Sequence, residues 1–84
     1  MASTSERLTA DDLAAMIRDA GGIVPESMIV RELDAAKCLP VSYDTLQRWR
    51  NTKHPHGPPY IRVGARAYYD LRALASWLAA ADRR

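Results

Sequence analysis

Apolar positions recur along this chain with two periods, one helical and one alternating, and the switches between them mark out its elements. In "TADDLAAMIRDAGG", Leu13, Met16, Ile17 and Ala20 fall at helical spacing. Thr9 is placed to cap that helix, with Asp12 completing a capping box, Leu8 stapling onto Leu13 and Gly21-Gly22 ending the run. Residues 23–30, "IVPESMIV", fit a short extended segment or the first turn of the next helix, because Pro25 suits both. "RELDAAKCL" predicts a second helix with Leu33, Ala36 and Leu39 facing inward, and Pro40 stops it or starts a tight turn. Ser42 caps a third helix that runs to about Asn51.

Residues 51–60, "NTKHPHGPPY", are too rich in Pro and Gly for anything but a connector. The alternating period then takes over in "YIRVGARAYY". Ile61 and Val63 lie on one face of a hairpin and Tyr60 and Arg62 on the other, with Gly64-Ala65 at the turn and Arg66 at the tip. Asp70 caps a last helix whose inward stripe is Leu71, Leu74, Trp77 and Leu78, with Arg83-Arg84 suiting its C-terminal dipole. Trp49 and Trp77 are expected to anchor the core. The expected organisation is a polar, flexible leader over 1–7 and one domain over 8–84.

Composition bounds what such a chain can do. Its 84 residues suffice for one small domain with a modest core. Apolar runs are only a few residues long, so neither a membrane span nor a secretory signal is expected, and the protein is read as cytoplasmic. The single Cys38 offers no internal disulfide. His54 and His56 with that one cysteine are too few ligands at the wrong spacing for zinc, so no metal or other cofactor is expected. No acid–base pair, nucleophile constellation or phosphate loop points to an enzyme, and no catalytic residue is assigned.

The charge changes the picture. A formal net charge of +2 hides four basic against seven acidic residues over 1–40, and eight against three over 41–84. From Arg48 through Arg66 there are five basic residues, Arg48, Arg50, Lys53, Arg62 and Arg66, and no acid, a patch suited to a polyanion. On the third helix, Leu46 and Trp49 define the buried stripe, leaving Asp44, Gln47, Arg48 and Asn51 on the far face. Gln and Arg are the side chains that pair bidentately with adenine and guanine edges, and an acid can accept from cytosine. Tyr43, Thr45 and Arg50 flank that face, where phosphates would run. An Asp44–Arg48 pair at i, i+4 would hold Arg48 in one rotamer. Lys53 and His54 in the connector are set for phosphates, and Arg62 and Arg66 on the hairpin for the backbone and a minor groove.

Taken in order, "AAKCLPVSYDTLQRWR", "GPPYIRVGARAYYD" and "LASWL" resemble the small winged-helix proteins of the excisionase and AlpA type over residues 31 to 79. Val41, Ser42, Thr45, Leu46, Arg48 and Trp49 match that family's recognition helix. Gly57, Pro58, Pro59, Tyr60, Gly64 and Tyr69 match its wing, and Leu74, Trp77 and Leu78 its closing helix. The chain departs from the pattern in carrying Tyr68, Tyr69 and Asp70 where basic residues and a Ser-Asp cap are usual. It also has Pro40 where Gly is common, and an added helix over residues 9–21.

The resemblance implies an α+β winged helix-turn-helix, mainly helical, with a two-stranded β-hairpin wing and an extra N-terminal helix. It implies a non-enzymatic excisionase, or recombination directionality factor, of a prophage or integrative element. Such a protein binds and bends attachment-site DNA cooperatively and directs an integrase toward excision. The expected partners are double-stranded DNA, further copies on that DNA and a cognate integrase. Two alternatives accompany it: an AlpA-like transcriptional regulator using the same surface, and a protein-binding adaptor of a phage or mobile element acting through its acidic N-terminal half.

Overall fold

The computed structural model describes residues 8–52 and 57–81. The leader expected over 1–7, the connector residues Lys53, His54 and His56, and Arg83-Arg84 lie outside the described residues. Helix α1 spans Ala10–Asp19 and starts at the expected capping box. The Asp12 amide donates to Thr9 Oγ1 at 3.1 Å, and the Thr9 amide donates to Asp12 Oδ2 at 3.0 Å. These bonds satisfy two of the donors that a helix N-terminus leaves open. Its buried stripe is Leu13, Ala14 and Ile17, with Ala10 packed behind them. Met16 and Ala20 fall outside this arc and are exposed, on the side of α1 turned away from the last helix.

The segment left open at 23–30 resolves as a turn followed by strand β1, Ile29–Arg31. The Met28 amide donates to the Pro25 carbonyl at 3.0 Å, and Met28 takes a left-handed backbone with φ 64°. Helix α2, Glu32–Ala36, is shorter than the sequence pattern suggests. Its chain tightens at once into i to i+3 bonds, from Lys37 to Asp34 and from Cys38 to Ala35. Leu33 does not face inward. It is 55% exposed, and the inward positions belong to Glu32, Ala35 and Leu39, with Ala36 half-buried. Helix α3, Tyr43–Asn51, begins as expected at Ser42, whose Oγ accepts from the Thr45 amide at 3.1 Å.

Strands β2, Ile61–Val63, and β3, Arg66–Asp70, form the expected hairpin, with Val63 opposite Arg66 across a two-residue turn. Gly64 at the first turn position has φ +63°, a backbone that L side chains resist, whereas Ala65 does not need it. The sheet is not two-stranded. β1 pairs antiparallel with the free edge of β3, Val30 opposite Tyr69, giving the order β1-β3-β2. Three short strands with a covered face hold together where a lone hairpin is marginal. The inward residues are Val30, Ala67 and Tyr69. The alternation of β2 is present, but Ile61 and Val63 are exposed, at 39% and 60%, because they share a face with Tyr68 and Arg66 on the side away from the core.

Helix α4, Leu71–Ala81, follows β3 directly. Asp70 caps it, its Oδ1 accepting from the Arg72 amide at 2.9 Å. Burial tends to raise the Asp70 pKa, but the Arg72 bonds outweigh it and hold the carboxyl below its ordinary value. Leu71 and Leu74 are fully buried, and Trp77 and Leu78 pack half-buried against them. The added helix α1 lies on α4, so Leu13, Ile17, Leu46, Tyr69, Leu71 and Leu74 form one core beneath the sheet. The described residues therefore make a compact α+β unit of four helices and a three-stranded antiparallel sheet. No helix among them is long and apolar enough to cross a membrane.

Candidate nucleic-acid interface

Helix α3 buries only Leu46 completely, and Trp49 is half-buried beside it. Asp44, Arg48 and Asn51 are exposed on the outer face, and Gln47 is half-exposed, close to the expected split. The i, i+4 contact that forms there is not the expected one. Gln47 Nε2 donates to Tyr43 Oη at 3.2 Å, and no ion pair joins Asp44 to Arg48. The Arg48 guanidinium therefore remains available to a ligand. At the helix end Thr52 Oγ1 donates to the Arg48 carbonyl at 2.8 Å, satisfying one acceptor that the terminus would leave open. Thr45 is tied inward, its hydroxyl 3.0 Å from Ser42 Oγ.

Arg50 departs most from expectation. The helical wheel sets it on the phosphate-facing flank, but it turns inward onto Glu32. Arg50 Nε donates to Glu32 Oε2 and Nη2 to Oε1, both at 2.9 Å, a parallel two-bond pair. The Tyr69 hydroxyl donates to Glu32 Oε2 at 2.8 Å. Glu32 is 6% exposed and Tyr69 1%. A carboxylate this deep persists only when paired and hydrogen-bonded, and Arg50 at position i+4 from Leu46 is the cation within reach. The bond to Glu32 raises the Arg50 pKa against the opposing effect of burial, so the arginine stays charged. Burial first, and then the bond to Glu32, push the Tyr69 hydroxyl far above its ordinary value, so it stays a donor. The triad ties α2, α3 and β3 together and leaves no buried side-chain nitrogen or oxygen unsatisfied among the described residues. Tyr60 extends it outward, its ring tilted 51° on Tyr69 at 6.4 Å.

The hairpin brings Arg66 to the same side of the molecule. A groove of about 370 Å³ runs between α3 and the turn, with Tyr43 and Gln47 on one wall and Ala65 and Arg66 on the other. Arg31 and Asp34 also line it. Arg62, opposite Ala67, is exposed on the hairpin. Thus Tyr43, Gln47 and Arg66 are brought together, Asp44, Arg48 and Asn51 lie on the adjoining surface of α3, and Lys53 and His54 lie outside the described residues. Sequence reasoning missed Glu32, Tyr69 and Arg31 as parts of this region. A charged residue beside Leu33 at the start of a helix gives no apolar signal, and nothing local marks Glu32 as buried. Cys38 is buried, its Sγ 3.2 Å from the Ala35 carbonyl, and desolvation pushes its pKa up to about 11.

Compared with protein-family models, curated proteins and solved structures, the chain matches none.

Proposed function

We propose that the protein is a winged helix-turn-helix that binds double-stranded DNA by sequence, and within that class a non-enzymatic excisionase of a prophage or integrative element. The observation that carries this is the state of α3. One face is locked into the molecule through Leu46 and the Glu32–Arg50 pair, while Asp44, Arg48 and Asn51 are exposed beside a hairpin tip bearing Arg66. The order α1-β1-α2-α3-β2-β3-α4, with β1 closing the hairpin into a sheet, supports the winged arrangement. In this reading α3 enters the major groove, about 12 Å wide and able to admit a helix. Arg48 reads a guanine edge, and Arg66 reaches the neighbouring minor groove. The basic C-terminal half supplies the field that draws the duplex in.

Excision, as against promoter control by an AlpA-like regulator, rests on the sequence resemblance, and both would use the same surface. The test is a gel shift and footprint across the element's own attachment region and promoters, with wild type and Arg48→Ala. Salt-dependent, sequence-selective protection of several spaced sites beside the integrase sites is expected, and Arg48→Ala should lose about 1–3 kcal/mol of discrimination at one base pair. Protection confined to a promoter would favour the regulator. Absence of any selective shift would favour an adaptor that binds protein.

A further inference from the structure

The groove between α3 and the hairpin turn is not accounted for by major-groove reading. Its charges are unevenly spoken for. Glu32 spends both oxygens on Arg50 and Tyr69, so it offers no free negative charge to the groove. Asp34 faces Lys37 at 3.9 Å. Arg31 and Arg66 remain, both exposed and neither in an ion pair among the described residues. They come from separate strands, Arg31 from the end of β1 and Arg66 from the start of β3. Ala65 and Ala67 on the hairpin wall carry only methyl groups, which keeps the groove open. On the opposite wall, the hydroxyl of Tyr43 and the amide of Gln47 are a bonded polar pair. Two exposed arginines lining a polar cleft suit a tetrahedral oxyanion, which accepts two-bond contacts from arginine.

We propose that this groove seats a phosphodiester of the DNA backbone, gripped by Arg31, at the point where one strand passes between α3 and the hairpin beside the minor groove that Arg66 enters. The assignment rests on the DNA-binding reading and adds to it a residue, Arg31, that lies outside both the recognition helix and the hairpin. A phosphate held here fixes the register of the duplex on the protein without carrying sequence information. Arg31 and Arg48 therefore have separable duties.

The experiment uses the full chain and duplexes in which single phosphates are replaced in turn by neutral methylphosphonates. Binding of wild type, Arg31→Gln and Arg31→Lys is followed by fluorescence anisotropy at several salt concentrations. In wild type, neutralising one or two adjacent linkages should weaken binding several-fold, and Arg31→Gln should abolish that sensitivity. Arg31→Gln should lower the slope of log affinity against log salt by about one and weaken cognate and unrelated duplexes by the same factor. Arg31→Lys should restore the slope but only part of the affinity, since it keeps the charge and loses the fork. Arg31→Gln with wild-type slope and unchanged linkage sensitivity, while Arg48→Ala still loses its sequence preference, would overturn the groove and leave DNA binding standing. If wild type binds no duplex, DNA binding itself fails and the groove assignment falls with it. Inorganic phosphate titrated alone, followed through the arginine Nε–H signals, separates the two sources of the anion. Saturation by free phosphate at the concentrations where duplex binds would make this a small-anion site and overturn the backbone assignment.

Discussion

Glu32 is the residue on which the geometry of α3 depends, and it is expensive to hold. A carboxylate taken out of water costs several kcal/mol, offset here by two charged bonds from Arg50 and one from Tyr69. Removing one partner leaves the other buried without compensation. Glu32→Ala is therefore expected to cost about 3–5 kcal/mol, a large share of the stability of so small a domain. Glu32→Leu combined with Arg50→Met and Tyr69→Phe should be far milder, because an apolar cluster of similar volume needs no compensation, whereas keeping Tyr69 would leave its buried hydroxyl without an acceptor. Urea unfolding followed by tryptophan fluorescence distinguishes them; a single variant as stable as wild type would show that the pair carries no weight. None of this was legible in the sequence. An apolar pattern assigns the inward face of α2 to Leu33, and nothing local says that the acid beside it will find a cation 18 residues later. Cys38 was legible only as a lone thiol. Buried, with its pKa raised from 9.0 to about 11, it should resist alkylation in the folded protein. The sign follows from the raised value: the folded state keeps the proton that the unfolded chain loses, so this contribution is intact below about pH 9 and fades as pH rises toward 11. Labelling that is as fast in buffer as in urea would contradict its burial.

Among elements, those with a local signature were read well and those made by distant partners were not. The capping box of α1, the Ser42 cap of α3, the Gly64 turn and the Asp70 cap of α4 each depend on residues within four positions of one another. β1 has only three residues and pairs with a strand nearly forty positions away, so alternation within it is too short to register. The outer face of β2 misled for the opposite reason: its alternation is real, but its two apolar residues lie on the face turned away from the core. The join between α1 and α2 depends on a close approach that sequence cannot show. A Cβ on Gly22 would stand 2.5 Å from Ile17 Cγ2 and 2.8 Å from Asp34 Oδ1. Ile17 is fully buried and has nowhere to move. Gly22→Ala should therefore destabilise by about 1–3 kcal/mol, as overpacking does. The Tm measured by circular dichroism tests this, and an unchanged or raised Tm would mean that the loop yields freely.

At the scale of the whole molecule, size decides how such a protein could act on DNA. Its extents are 42 × 29 × 19 Å, so the long axis covers about 12 base pairs at about 3.4 Å each. A single module of this kind contacts about 600–1,000 Å² of DNA, and a net charge of +2 adds little general attraction. One copy is thus too small for tight binding at physiological salt, and several copies on adjacent sites should bind cooperatively. The free protein should be a monomer, with protomer contacts forming only where DNA aligns neighbours. Each copy that places α3 in the major groove and Arg66 in the next minor groove favours local curvature. A row of them should bend the duplex at an elastic cost of a few kcal/mol, offset by the shared contacts. Sedimentation should give a monomer at micromolar concentration. Binding to a fragment with several sites should be steeper than to an isolated site, and gel mobility should depend on where the sites lie along the fragment. Non-cooperative binding of single copies to straight DNA would remove the architectural role and leave a regulator that acts by occupancy alone.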